Sequence, residues 1–231
     1  MSTSPEGVIS IIVPILNEEK TIARTLGHLQ TFDEGQEVIV VDGGSKDRSR
    51  DEASPFAKVL TASRGRASQM NTGAHHAKGD VLLFLHADTL LPSNAFSQIR
   101  ETLQDPQTVG GAFRLKLDKP GLFYGALSFF ANQRARWLGT IYGDQAPFVR
   151  QEDFLALGGY RELEIMEDAD LMTRLRRRGK VRLLSAHVAS SSRRWDGMGR
   201  GRTLMTMWAV TLGHLLGVSP KTLKRLYPDV R

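Results

Sequence analysis

Glu37-Val38-Ile39-Val40-Val41-Asp42-Gly43-Gly44-Ser45-Lys46-Asp47 is the stretch on which the fold turns. Val38 to Val41 are four β-branched residues in a row, with no polar face. A strand of this kind is buried on both sides, as strands of a parallel sheet are. It stops at Asp42-Gly43-Gly44-Ser45, a turn composition. Upstream, Val8–Val13 is a second run of the same kind, which we expect Pro14 to end. Between the two, Glu18–Gln30 reads as a helix with Ile22, Leu26 and Leu29 on one face. Downstream come a weaker strand at Lys58–Thr61, a loop leading into a helix over Arg64–Lys78, a fourth strand at Asp80–Leu85, and a helix over Ser93–Leu103 with Ser93 as its cap. Alternating strands and helices predict an α/β fold: a mostly parallel, Rossmann-like sheet flanked by helices. Ligands of such sheets sit beyond the carboxyl ends of the strands, which directs attention to Pro14–Glu18, Asp42–Asp47 and His86–Thr89.

The second half is less regular. We expect a strand at Val109–Leu117, an aromatic-rich helix at Leu122–Leu138, helices at Glu152–Leu157 and Glu167–Arg178, and strands at Val181–Leu184 and His187–Ser191. A mostly apolar helix over Thr203–Leu216 is followed by Pro220 and a basic tail. No repeat, low-complexity segment or linker interrupts the chain, so residues 1–231 read as a single domain.

The chain has 231 residues and no cysteine, which excludes a disulfide framework, an iron–sulfur cluster, a thiolate zinc site and a cysteine nucleophile. The first seven residues are polar and lack a basic segment leading into an apolar one, so no signal peptide is expected. Val8–Leu16 and Leu204–Leu216 are both too short to span a bilayer. These features predict a cytoplasmic protein. The net charge of +6 fits a solvated basic surface, an anionic substrate, an anionic membrane face or nucleic acid. Nucleic acid is disfavoured, because the basic run from Arg174 to Arg182 accompanies no nucleic-acid module and reads mainly as a solvated helix face.

Four motifs carry chemistry. Asp42-Gly43-Gly44-Ser45-Lys46-Asp47 offers a carboxylate for a base or ribose, and glycines that allow close backbone approach; it is equally a plain turn with Asp47 capping the next helix. His86-Ala87-Asp88 closes the most hydrophobic strand. Two side chains spaced by two can meet at one metal, carboxylate suiting Mg²⁺ or Mn²⁺ and imidazole suiting Mn²⁺ better; the other reading is an ordinary polar strand end. Glu167-Asp168 opens a helix, where acids suit the dipole or one of them serves as a general base. Arg193-Arg194-Trp195 can bind phosphate and stack on a ring, or pack as a buried Trp beside a snorkelling Arg. The chain has no G-x-G-x-x-G after the first strand, no P-loop and no G-x-S-x-G elbow, which disfavours nicotinamide enzymes, P-loop NTPases and α/β-hydrolases.

In order and spacing, Val13-Pro14-Ile15-Leu16-Asn17-Glu18, Val40–Asp47, Phe84-Leu85-His86-Ala87-Asp88-Thr89, Glu167-Asp168 and Arg194-Trp195 resemble the family-two glycosyltransferases of the GT-A fold. Gly65–Asn71, Leu85–Thr89, Gly143-Asp144-Gln145 and Ile165–Asp168 further resemble the compact bacterial subgroup labelled arsenosugar-biosynthesis or radical-SAM/selenodomain-associated glycosyltransferases. The resemblance implies transfer of a sugar from a nucleoside diphosphate to an acceptor hydroxyl with inversion. It divides the chain into a donor half, about 8–105, and an acceptor half, about 106–231. Pro14, Asn17, Glu18, Asp42, Arg64, Asn71 and Asp88 would bind the donor. Asp88, with His86, would hold a divalent metal, Mg²⁺ or Mn²⁺. Asp168 would be the base with Glu167 beside it, and Arg194, Trp195 and Asp144 would meet acceptor or phosphate. The implied acceptor is a small molecule or lipid-like.

Departures from the family pattern are Gly43 for the second Asp of Asp-Asp-Gly-Ser, His86 for the first acid of the D-x-D element, and Ser191 for the Gln of Q-x-x-R-W. Leu204, Trp208, Leu212 and Leu215 recur at helical spacing with Lys221, Lys224 and Arg225 behind them. That pattern allows peripheral contact with the inner face of a membrane, packing on the protein's own core, or an oligomer contact. Two other classes stay open: a sugar nucleotidyltransferase, which should carry a Gly-rich basic loop where Pro14–Glu18 stands, and a non-catalytic nucleotide-sugar-binding protein.

Overall fold

The computed structural model describes residues 7–32, 35–193 and 200–226. Its centre is one eight-stranded sheet in the order β3-β2-β1-β4-β7-β6-β8-β5. β1 (Ile9–Ile15), β2 (Glu37–Asp42), β3 (Lys58–Thr61) and β4 (Val81–Phe84) are mutually parallel. β7 (Phe148–Arg150) runs antiparallel between β4 and β6 (Thr108–Leu117). β8 (Lys180–Ser190) is parallel to β6, and the two-residue β5 (Thr89–Leu90) closes the far edge against it.

The continuous apolar runs have the predicted cause. On β1, Ile9, Ile11, Val13 and Ile15 enter one core with α1 (Ile22–Leu29) and α4 (Ala95–Leu103), whereas Ile12 enters the other with α3 (Arg66–His76), α6 (Gln151–Ala156) and α7 (Glu167–Leu175). Ile22, Leu26 and Leu29 are fully buried, as their spacing demands. Each such side chain contributes about 1.5–3 kcal/mol. The other helices among the described residues are the short α2 (Ser49–Ala53), α5 (Leu122–Leu138), α8 (Arg200–Leu215) and α9 (Pro220–Leu226). None of the described helices is long and apolar enough to cross a membrane.

Several local expectations are corrected. Pro14 does not end β1; it pairs in register with Val41. β4 pairs β1 only as far as Ile12, with Leu85 N–H donating to Ile12 O, so no β4 carbonyl stands opposite the missing Pro14 N–H. Ser93 is not the cap of α4, which begins at Ala95 after Asn94 without a side-chain capping bond. Val181–Leu184 and His187–Ser191 are one strand with a register shift opposite Ala112 and Arg114. The basic run is not simply solvated: Arg174 is buried, ion-paired to Asp170 at 2.7 Å and donating to Leu157 O and Gly159 O.

Candidate active site

The loops after β1 and β2 are laced together. Asn17, at a positive φ of 56°, donates its N–H to Ser45 Oγ and accepts from Lys46 N–H at Oδ1 (3.0 and 2.9 Å). Glu18 N–H donates to Ser49 Oγ and Glu19 N–H to Asp47 Oδ2. Asp42 is 1% exposed, and its carboxylate accepts from Gly44 N–H, Ser45 N–H and the Ser45 hydroxyl. The predicted base-binding acid is thus turned into its own loop, because three local donors compete for it. Gly43 stands in the family's acidic position for a packing reason. A Cβ there would lie 2.9 Å from the Gln69 carboxamide, which donates to carbonyls near the ends of β1 and β2, Ile15 O and Val41 O.

A second cluster forms at the start of α7. Met166, just before it, holds a left-handed φ of 68°, an unfavourable conformation for a residue with a side chain, and turns Glu167 and Asp168 inward. Both acids are buried. Glu167 pairs with Arg66 Nε at 3.1 Å. Arg66 Nη2 also lies against His86 Nε2. A Cβ at Gly143 would collide with His86 Nε2, Asp168 Oδ2 and Arg66 Nη2, so these three side chains converge on one backbone point.

Burial and the neighbouring Glu167 push the Asp168 carboxyl up from 3.8 to about 7, against the opposing pull of Arg66, the Tyr160 hydroxyl and Gly143 N–H. Tyr160 faces Asp168, yet neither its hydroxyl nor Asp168 Oδ1 completes a hydrogen bond of normal geometry. Burial, Asp168 and Glu167 hold the Tyr160 phenol well above its ordinary range, so it stays protonated. Burial works against the Arg66 charge, but Asp168, Glu167, Tyr160 and Asp88 more than offset it.

The third cluster is Asp88, Glu18 and Arg193. One nitrogen of Arg193, Nη2, stands 2.8 Å from Asp88 Oδ2 and 2.9 Å from Glu18 Oε2. Two acids 70 residues apart in sequence therefore face a single cation. β4 ends at Phe84 and residues 86–89 form a tight turn, with Thr89 N–H donating to His86 O, so His86 and Asp88 stand in a turn and not along a strand. Period-two spacing has no meaning in a turn, and the imidazole lies against Arg66. Among the described residues no three His, Asp or Glu side chains converge as a metal cage. Asp88 with Glu18 does fit a hard divalent ion that takes its remaining ligands from a substrate diphosphate, the usual habit of Mg²⁺.

The other predicted residues divide. Asn71 spends both amide groups on the backbone of Tyr160, at 2.9 Å in each direction, and so fixes the loop that carries the phenol. Pro14 is half-buried in β1 and Arg64 is exposed before α3. Asp144 follows Gly143 in a 3-10 turn, Gly143–Gln145. Arg194 and Trp195 lie outside the described residues. Arg66, Tyr160 and Gln69 are the site residues that sequence reasoning left without a role; Arg193 was read as a phosphate ligand and here pairs with Asp88 and Glu18. Only the Gly65–Asn71 motif pointed at Arg66 and Gln69, and nothing local marked Tyr160.

A family model described as Glycosyl transferase family 2 matches residues 10–157. The chain is 27% identical over 119 residues to an undecaprenyl-phosphate 4-deoxy-4-formamido-L-arabinose transferase of Edwardsiella ictaluri, across 46% of this chain and 37% of that one. It is 30% identical over 119 residues to the Pectobacterium atrosepticum protein of that name, across 46% and 36%. The matches take in little more than a third of these relatives' length. Among solved structures, the fold is similar to S. aureus TarS 1-349 (TM-score 0.66, 19% identity, 89% of this chain and 65% of that). It is also similar to the mannosyltransferase PcManGT of Pyrobaculum calidifontis in complex with GDP-Man and Mn²⁺ (0.67, 19%, 89% and 62%). Glucosyl-3-phosphoglycerate synthase of Mycobacterium tuberculosis, in complex with Mn²⁺, UDP and glucosyl-3-phosphoglycerate, is similar likewise (TM-score 0.66, 19% identity, 92% of this chain and 80% of that). With a family model covering most of the chain and a matching GT-A architecture, this protein belongs to the family 2 glycosyltransferases.

Proposed function

We propose that the chain moves a sugar from a nucleoside-diphosphate donor to an acceptor hydroxyl in one displacement, with Asp168 as general base. One observation carries this reading: the buried Asp168 carboxyl, raised to about 7 by burial and Glu167, at the carboxyl edge of the sheet. A base works best when its pKa lies near the working pH. In the step, the acceptor oxygen bonds to the anomeric carbon as the bond to the diphosphate oxygen breaks, and the hydroxyl proton passes to Asp168. Attack opposite the leaving group inverts the anomeric carbon.

The protein's own groups divide the work. Glu167 holds Arg66, and Arg66 with the Tyr160 hydroxyl stabilises the ionised base between turnovers. The β1 and β2 loops, laced through Asn17, Glu18 and Asp47, form the donor side, with Asp42 shaping the Gly43–Ser45 backbone and Arg64 at its rim. Asp88 with Glu18 would hold a divalent ion, which supplies charge neutralisation at the leaving diphosphate. Arg193, Arg194 and Trp195 would lie on the phosphate and acceptor side with Asp144. The donor is a UDP- or GDP-linked sugar, as held by the similar folds. The acceptor is a small molecule or a lipid-linked phosphate of the kind the curated relatives are named for. On this reading residues 8–105 form the donor half and 106–231 the acceptor half, in an enzyme acting inside the cell near the membrane and akin to the arsenosugar or radical-SAM/selenodomain-associated subgroup.

The test is release of nucleoside diphosphate from a panel of UDP- and GDP-sugars, with Mg²⁺ or Mn²⁺ and with polyprenyl-phosphate or soluble acceptors. Release that Asp168→Asn abolishes is the expected result. A chain that binds donors yet releases nothing with any acceptor is a binding protein, and the proposal falls.

A further inference from the structure

α5 turns an apolar face outward. Tyr124, Leu127 and Ala135 are buried against β6, where Asn132 and Ser128 also bond the Leu115 and Leu117 backbone. On the opposite side Leu122, Phe129, Phe130 and Trp137 are exposed, Leu122 to 95% and Trp137 to 76%. Gly121 and Gly125 leave an apolar groove between Leu122 and Phe129. Leu204 of α8 packs on the same cluster, which sets α8 beside α5. α8 and the turn after it add exposed Met205, Trp208, Leu212 and Leu216. Folding leaves this much large apolar surface in water only where something else covers it.

Charge says what covers it. Residues 119–143 contain three Lys or Arg and no Asp or Glu, and residues 200–226 contain five and none. These two stretches carry more than the whole net charge of +6, so the rest of the chain is slightly acidic. Arg136 lies over the Trp137 ring at 5.9 Å, an aromatic and a cation at one helix end. A second copy docking face to face would bring two acid-free cationic surfaces together, which repels. Aromatic and aliphatic side chains among basic ones match an anionic bilayer surface.

We infer that the exposed faces of α5 and α8 form one docking surface for an anionic lipid bilayer. The surface flanks the candidate site. Tyr142 is clasped by Arg134 of α5, stacked at 3.7 Å, and by Thr211 of α8 at 3.0 Å. Val210 packs on Met166 and Ala169 around the start of α7. A membrane-bound chain would therefore present the acid end of α7 to a hydroxyl or phosphate held at the lipid surface. Docking stands on the surface alone; only the corollary that the acceptor is lipid-linked rests on the proposed transfer.

Flotation of the full chain with vesicles of phosphatidylcholine, with and without phosphatidylglycerol, tests it. Flotation with the anionic vesicles at low salt, weakening as salt screens the charges, is expected. Phe129→Ser/Phe130→Ser/Trp137→Ser should weaken it roughly tenfold or more while the melting temperature holds, because these side chains are already in water in the free protein. Arg136→Glu/Arg202→Glu/Lys221→Glu should abolish the preference for anionic lipid. No flotation at low salt overturns the inference, as does equal flotation of the triple serine variant. A dimer that this variant converts to monomer would make the face a self-association contact, which also overturns it. Asp168→Asn is run in parallel: if it floats like the parent while transfer is lost, both readings stand, and if the parent floats but transfers nothing, only the transfer reading falls.

Discussion

The proposed transfer places its general base in one carboxyl, Asp168, whose environment makes it testable by pH. As a base it must be ionised, so kcat/KM should rise with pH through about 7 and level off above. Asp168→Asn keeps the shape without the basicity; turnover should fall roughly 10²–10⁴-fold with donor affinity little changed. The same carboxyl affects stability. Its pKa is 3.8 in the unfolded chain and about 7 in the fold, so between these values the folded state binds the extra proton. Asp168 therefore costs the fold nothing below pH 4, costs progressively more as pH rises, and costs most above 7. Asp168→Asn should melt higher than the parent at pH 8, with the gap closing towards pH 5. Loss of donor binding in place of turnover would move the base to Glu167 or Asp144. At Asp88, substitution by Ala should abolish metal-dependent donor binding and transfer, read by calorimetry with and without chelator. Full activity in excess chelator would refute that role.

Elements are joined by side chains whose sequence neighbours give no hint of it. Gln69 ties α3 to the ends of β1 and β2, and Asn71, two residues on, ties α3 to the Tyr160 loop. Arg174 does the same for α7, holding Asp170 and the Leu157 and Gly159 carbonyls in a buried fork. Removing one partner from a buried ion pair leaves stranded polar groups, so Arg174→Ala should cost about 3–5 kcal/mol in urea unfolding. It should also lower kcat, since the strap it anchors carries Tyr160 to Asp168. A Cβ at Gly143 would enter the point where His86, Arg66 and Asp168 meet. Gly143→Ala should accordingly depress turnover by far more than it lowers the melting temperature. An active Gly143→Ala variant would mean that these three side chains need not converge.

At the scale of the molecule the described strands form one sheet, and the two halves of the chain interlock within it. β7, from the second half, pairs beside β4, while β5, from the first half, closes the edge against β8. Ligation at the strand ends should thus stabilise the entire chain. A donor at 100 times its Kd adds about 2.7 kcal/mol, a rise of roughly 5–10 °C in melting temperature for a chain of this size. A single shifted transition is expected by scanning calorimetry; two transitions, only one of them donor-sensitive, would show that the halves unfold independently.

The α/β class, β1, β2, β4 and the buried face of α1 were legible because continuous apolar runs and a 3.6-residue apolar period are local properties of the chain. Position in the chain also pointed to Glu18, Asp88, Glu167 and Asp168, since strand ends and helix starts can be located from that same periodicity. Their partners could not be read in this way. Arg66 meets Glu167 across 101 residues and Arg193 meets Glu18 across 175, distances closed only when β8 and α7 fold over the parallel strands. His86 and Asp88, two residues apart, went to different partners because a turn, not a strand, lies between them. Asp42 and Asn71 have the residue types to bind a donor, and only the fold shows that their side chains also hold the Gly43–Ser45 turn and the Tyr160 backbone. Residue type and spacing decide what a side chain is able to do; which of those options it takes depends on the neighbours that long-range packing brings within hydrogen-bond reach.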